Sequence, residues 1–354
     1  MVSFIKSMQN RILVVLTVLI LATVITGCEQ KSQDKPVSQI KIGVSVYDDY
    51  DAFMSLMLKS MTEYCKEQEK ELGITITLDI LSADCNQMTQ NDQVVKFLAK
   101  DYDVLCINLV DRTDPTYIID KAKAKDVPVI FFNRELVKED IERWDKVFYV
   151  GADAKQSGRM QAGIIIDALS DAKRFEKIDV NHNGVIQYVM LEGEMGHQDA
   201  MIRTQTCIDE LKNAGYYLEK VADETANWNR DEAATKMKRI LDKYPTQIEM
   251  VIANNDEMAL GALRAVEEKK SAITPYIIGI DGTEDSLEAV RTRKLDGTVY
   301  NDSKGQAETA MKICISMVMN GTVPEDVELI DDKYVYLEYA PVTYDNVQDY
   351  IKLR

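Results

Sequence analysis

From Ile40 onward, apolar runs and amphipathic stretches take turns along the chain. IKIGVSVY has the length and composition of a strand. After it, Phe53, Leu56, Met57, Met61 and Tyr64 recur at the spacing that lays one stripe along a helix. ITITLDIL predicts the next strand, NDQVVKFLAK a helix, DVLCINLV a strand, YIIDKAKAK a helix and VPVIFF a strand. These strands are apolar at nearly every position, as expected of a parallel sheet covered by helices on both faces. VFYVGAD opens a second series of similar size, in which the strands VIQYVMLEG, YLEKVAD, EMVIAN, YIIGID and GTVYND alternate with helical stretches. Two consecutive series of this kind predict an α/β protein of two doubly wound parallel-sheet lobes.

The first residues belong to neither series. Lys6 and Arg11 precede an apolar run from Ile12 to Ile25, short for a bilayer span, and Thr26, Gly27 and Cys28 follow. A basic flank, an apolar segment and small residues describe a secretory signal over residues 1–27. The ending ITGC resembles a bacterial lipobox, which makes Cys28 the expected lipidation site and residues 28–39 a polar tether. The expected location is the outer face of a bacterial cytoplasmic membrane, held by acyl chains without a spanning helix. Loss of Lys6 and Arg11 with the signal carries the formal charge from -17 to -19. So acidic a surface excludes nucleic acid and anionic headgroups as partners. Cys65, Cys85, Cys106, Cys207 and Cys314 are scattered with no CxxC pair, and read as mostly buried thiols, not a disulfide framework or zinc site.

In doubly wound lobes, ligands bind beyond the carboxyl ends of the strands. That rule selects Asp48 to Phe53, Asn133, Glu192 to Arg203, Asn254 to Asp256, Asp281 and Asn301. The set is rich in carboxylates and amides, with His197 and Arg203, and Phe53 and Trp228 stand near it in the pattern. The sequence has no nucleophile elbow and no glycine-rich phosphate loop. His197 and Asp199 are two residues apart on a predicted helix and do not face each other, so a catalytic pair is set aside. Planar carboxylates, amides and a guanidinium engage adjacent hydroxyls, and flat rings cover C–H faces, so the set suits a neutral polyol.

A second polar stretch, DVNHNGVIQ, places Asp179, Asn181 and Asn183 at alternate positions, then Gly184, the Val185 carbonyl and Gln187, as a calcium loop begins. The glutamate expected three residues after Gln187 is replaced by Met190. The stretch is therefore a broken ion site, a turn held by Asx hydrogen bonds, or a site whose last ligand comes from elsewhere.

At this point the chain resembles the galactose/glucose-binding proteins of bacterial sugar ABC transporters, which are type I periplasmic binding proteins. The resemblance runs through IGVSVYDDYDAFM, INLVD, PVIFFNRE, YVGAD, VNHNGVIQYVMLEGEMGHQDAMIRT, ETANW, IEMVIANND, IGIDG and GTVYND. It implies sugar contacts at Asp51, Asn133, His197, Asp199, Arg203, Asn255, Asp281 and Asn301, with Phe53 and Trp228 stacking on the two faces of a hexopyranose. It implies a structural calcium whose missing carboxylate is Glu249. Two departures stand out: Ala52 replaces a larger polar residue common in the family, and Asn183 replaces an aspartate, which predicts weaker calcium binding. The resemblance also implies a three-segment hinge near Ala152, Asn301 and Asp331, with lobes over 40–152 plus 301–331 and 153–300 plus 332–354. The expected function is capture of galactose, glucose or methyl galactoside for the membrane subunits of an ABC importer by lobe closure. A sensor that presents the sugar to a chemoreceptor or sensor kinase is the alternative. Sugar-responsive transcription regulators share the fold but need a basic DNA-binding module, which this acidic chain lacks. A glycosidase would need a pair of carboxylates flanking the scissile bond, and none is evident.

Overall fold

The computed structural model describes residues 37–353. The expected signal, Cys28 and nearly all of the tether lie outside the described residues. β1 (Gln39–Val46) pairs in parallel with β2 (Thr75–Ser82) on one side and β3 (Val104–Ile107) on the other. β4 (Val129–Phe132) and β5 (Val147–Ala152) continue the parallel sheet, and β11 (Tyr334–Leu337) closes it, giving the order β11-β5-β4-β3-β1-β2. The inner strands VLCI and VIFF are buried at every position because helices cover both faces, while β2, at an edge, is largely half-buried.

Between β1 and β2 runs α1 (Ala52–Leu72), which buries Phe53, Met54, Met57, Met61 and Cys65. Its apolar stripe is thus turned slightly from the expected one: Leu56 and Tyr64 are only half-buried. The reason is α11 (Ser303–Met319), which returns late in the chain to pack against α1 and against β3, β4 and β5.

The second lobe repeats the arrangement. β6 (Val185–Glu192), β7 (Tyr217–Thr225), β8 (Met250–Ala253) and β9 (Tyr276–Ile278) are parallel in the order β7-β6-β8-β9. Parallel bridges at Ile278–Gly297 and Asp281–Tyr300 lead to β10 (Thr298–Tyr300), and β12 (Ala340–Val342) lies antiparallel on β10. Side chains on successive strand residues point to opposite faces, and both faces here are apolar. Val189, Leu191, Val251 and Ala253 pack under α8 (Arg230–Lys243) and α9 (Asp256–Lys269). Tyr188, Met190, Met250 and Ile252 pack under α5 (Ala154–Ser170) and α7 (Gln198–Asn213).

The chain crosses between lobes after β5, between Asn301 and α11, and between β11 and β12. The last crossing corrects the expectation of a hinge near Asp331 and of a first lobe ending there. Asp331 and Asp332, both with positive φ, form a tight turn beside the Ile330–Tyr334 bridge. The following YVYL run then joins β5, so the first lobe keeps the chain through Leu337 and the crossing falls at Glu338 and Tyr339. A turn signal marks a reversal but does not say which sheet the next strand joins.

Candidate functional site

In both sheets the first strand sits between the second and the third, so the connections diverge and leave a crevice at the strand ends. The helices that follow those strands begin at this crevice, and their capping side chains line it. Asp51 caps α1: one carboxylate oxygen accepts from Met54 N–H at 2.8 Å, and the other accepts from Tyr47 O–H at 2.8 Å. His197 caps α7 by accepting from Asp199 N–H at Nδ1, 3.1 Å away, which leaves its proton on Nε2. Asn255 caps α9 through Met258 N–H at 3.0 Å and donates its amide to the Trp228 carbonyl at 3.2 Å. Asp, Asn and His at these positions therefore satisfy free helix-terminal N–H groups and present the rest of the side chain to the crevice.

All the ligand-contact residues expected from the sequence line one cavity. The first lobe contributes Asp51, Phe53 and Asn133; the second contributes His197, Asp199, Arg203, Trp228, Asn255 and Asp281; Asn301 stands at the crossing. About 390 Å³ of empty space lies between them. Phe53 and Trp228 come from opposite lobes, as ligand-sandwiching rings must.

Electrostatics sharpen this picture. Burial raises the pKa of Asp51, Asp199 and Asp281, with Arg203 opposing the rise at the last two. Burial, and then Arg134 and Arg203, hold His197 well below the usual imidazole range, so it is neutral. Arg203 donates to the Asn254 carbonyl at 2.9 Å and to the Tyr339 hydroxyl at 3.0 Å, and lies 3.6 Å from the Asp199 carboxylate. Its Nε is buried with no partner among the described residues. An unsatisfied buried donor is costly, and here it belongs to a cavity-lining side chain.

Backbone strain gathers in the same place. Asn133 and Trp228 adopt left-handed backbone at φ 61° and 62°, and Asp281 has φ 126°. Non-glycine residues hold such angles only where neighbours enforce them. The Asn133 carbonyl accepts from Tyr149 O–H at 2.8 Å, and its side-chain oxygen accepts from the buried Asn108 amide at 3.1 Å. Trp228 packs its ring edge over Gly193, where an added Cβ would lie 2.1 Å from indole Cη2 and Cζ2. The His197 ring meets the indole edge-on at 5.0 Å between centroids.

Sequence reasoning missed Tyr47, Met54 and Arg134; Gly193 lies within the selected stretch Glu192 to Arg203, but its packing role was not read. Tyr47 and Met54 line the cavity. Arg134 is buried, stacks over the Tyr47 ring at 3.7 Å and reaches across the crevice to the Glu194 carboxylate at 2.8 Å. A charged residue directly after Asn133 at a strand end was the available signal for Arg134.

The candidate ion loop lies at the opposite end of β6, about 23 Å from the crevice at about 3.3 Å per residue. Glu249 stands beside Gln187 because β8 pairs with β6. Its oxygens accept from Asn181 N–H at 3.3 Å and Gln187 N–H at 3.0 Å. Asp179 accepts from Asn183 and Gly184 N–H at 3.1 and 2.9 Å. Asp179 and Glu249 are both buried, and no cationic side chain pairs with either among the described residues. With the Asn181, Asn183 and Gln187 amides and the Val185 carbonyl, this donor set fits a hard cation with oxygen ligands. Two carboxylates converge, and among the described residues no group of three or more acidic, His or Cys ligands does. Among the described residues the cysteines are all free: Cys65, Cys106, Cys207 and Cys314 are buried and Cys85 is exposed.

Comparison with known proteins places this geometry. The family profile described as periplasmic binding protein domain matches residues 42–322. The chain belongs to the periplasmic binding protein family. The D-galactose/methyl-galactoside binding periplasmic protein of Haemophilus influenzae is 35% identical over 316 residues, covering 88% of this chain and 92% of that protein. A xylitol-binding protein of Mycolicibacterium smegmatis is 29% identical, over 87% of this chain and 78% of its own length. Among solved structures, an ABC transporter solute-binding protein from Bacillus halodurans with bound myo-inositol superposes with a TM-score of 0.75 at 27% identity, covering 91% of this chain and 100% of that one. Members of the family are binding proteins, and the two sheets with their shared crevice match its fold. No helix among the described residues is long and apolar enough to cross a membrane.

Proposed function

We propose that this binding protein captures one neutral hexopyranose, galactose or glucose or their methyl glycosides, and delivers it to the membrane subunits of an ABC importer. The observation that carries the reading is the cavity itself. Buried carboxylates and amides, a neutral histidine and an arginine with an unmet Nε donor converge on one shared space, with rings supplied from both lobes. Hydroxyl groups donate to the carboxylates and accept from Arg203 and the amides. The rings cover the apolar C–H faces. The polyol and sugar ligands in the names of the relatives support the same chemistry. Contacts divided between two lobes favour the closed state, so ligand binding shifts the population toward closure.

Calcium fits the loop of Asp179, Asn181, Asn183, Val185, Gln187 and Glu249 as a structural ion. It would neutralise two buried carboxylates and pin the start of β6, whose far end carries the crevice. The amino-terminal motif supports anchoring through Cys28. Calorimetric titration of the mature chain with galactose, glucose, ribose and myo-inositol, with and without calcium, tests the reading. Stoichiometric binding of a hexose is expected; binding of none of them overturns it.

A further inference from the structure

Beside this cavity lies a second, outer chamber that opens to solvent. The two share Tyr47, Asp51 and Trp228, so these side chains form a common wall. Ala52, with only a methyl group, lines the outer side next to Asp51. Tyr50, which also lines it, is 91% exposed, unusual for so large a ring. Its loop is fixed by the Tyr50 N–H donating to Asp48 at 2.9 Å.

The polar groups around the chamber are largely committed to one another. Arg230 makes a bidentate pair with Glu257 at 2.7 and 2.8 Å and a second pair with Asp285 at 2.8 Å. Asp231 is held by Arg264 at 2.7 Å, and the Asn229 oxygen caps α8. What remains for recognition is the Tyr50 ring, the outer edge of Trp228 and a surplus of negative charge. That combination favours a neutral, ring-shaped group with apolar C–H faces and disfavours an anionic one.

We propose that the outer chamber is a subsite for the substituent of a neutral hexose glycoside, the second ring of a disaccharide being the class that fills it. The inference rests on the hexose reading of the inner cavity. A glycosidic oxygen placed between Asp51 and Trp228 carries the second ring outward onto Tyr50, over the space that Ala52 leaves open.

The test is competition calorimetry on the full mature protein, with its preferred monosaccharide against melibiose, lactose, maltose and cellobiose. At least one disaccharide is expected to bind within about tenfold of the monosaccharide. Ala52→Gln, at a half-buried first helical position, fills the chamber and is expected to weaken that disaccharide about tenfold while changing the monosaccharide less than about twofold. Tyr50→Ala removes the stacking ring and is expected to cost the disaccharide about three- to tenfold. Thermal unfolding of both variants at the wild-type midpoint keeps the comparison clean. If a monosaccharide binds and no disaccharide displaces it at about a thousandfold excess, the subsite is wrong and the hexose reading stands. Equal losses for both ligands in Ala52→Gln also overturn it. If no monosaccharide binds, both readings fall together.

Discussion

Gly193→Ala isolates the placement of the indole ring. The added Cβ would sit 2.1 Å from Trp228 Cη2 and Cζ2 and 2.4 Å from Cε2. Carbon contacts settle near 3.5 Å, so the ring edge must retreat by about 1.4 Å. Gly193 N–H is tied to the Asn254 side-chain oxygen at 3.1 Å, which holds the backbone, whereas Trp228 is half-buried on a loop. The ring is therefore what yields. Overpacking of this kind costs about 1–3 kcal/mol, which as binding energy is about five- to 150-fold in Kd. Calorimetry measures the loss, and intrinsic fluorescence reports the ring, since the other tryptophan, Trp144, is buried in the first-lobe core. Trp228→Phe removes the atoms that collide. In that background Gly193→Ala should cost almost nothing further. The reasoning fails if Gly193→Ala binds hexose like wild type, or if its loss persists undiminished beside Trp228→Phe.

Asp281→Ala should weaken hexose binding by about ten- to a hundredfold, the worth of a charge-assisted hydrogen bond at about 1.5–3 kcal/mol; titration checks it. Calcium should raise the unfolding midpoint, by about 2.7 kcal/mol of stability at a hundredfold excess over Kd, and Glu249→Gln should abolish the rise; an unmoved midpoint at millimolar calcium removes the ion. His197, held neutral by burial, lowers stability as pH falls below its unfolded pKa of about 6.5, because only the unfolded state then takes the proton, at a slope up to about 1.4 kcal/mol per pH unit. Asp51, Asp199 and Asp281, with raised pKa, act in the opposite sense at lower pH, so the His197 part is read as the difference in midpoint-against-pH curves between wild type and His197→Asn, which keeps a helix-capping side chain. Glu194→Gln removes the charge facing Arg134 across the crevice and should speed sugar dissociation about three- to tenfold in stopped flow.

What could be read from the chain was local. Strands buried on both faces show as runs such as VIFF, and the strand-end rule selects the stretches that hold Asp51, His197 and Asn255, while the resemblance singles out those residues within them. Glu249 was placed beside the ion loop by resemblance, and the β6–β8 pairing supplies the physical reason. Non-local pairing was harder to read. Nothing in YVYL says that it joins β5, so the expected crossing near Asp331 falls short of the one observed at Glu338 and Tyr339. The stripe of α1 turned toward Met54 and Cys65 because α11, two hundred and more positions later, supplies its partner surface. Arg134 stacking on Tyr47 and the notch at Gly193 are properties of packing, with no period or spacing to betray them.

If the proposed lobe closure holds, the unequal division of the crevice bears on how it is driven. The second lobe supplies most of the polar partners, including Arg203 and its neighbouring carboxylates, while the first adds Asp51, Asn133 and the Phe53 ring. A ligand resting on the second lobe alone already meets most of its contacts, so affinity in the open state does not require the first lobe. What closing adds is one charged hydrogen bond, one amide and one stacked face, together about 2–4 kcal/mol. That increment is the differential affinity for the closed state, and it shifts the ratio of closed to open by roughly thirty- to a thousandfold. Asp51 is held by Tyr47 as well as by the Met54 N–H, and Tyr47 sits under Arg134, whose other partner, Glu194, is on the opposite lobe. The carboxylate that rewards closure and the ion pair that spans the crevice are thus joined through one phenol ring, so closing the lobes and completing the ligand's shell are the same event.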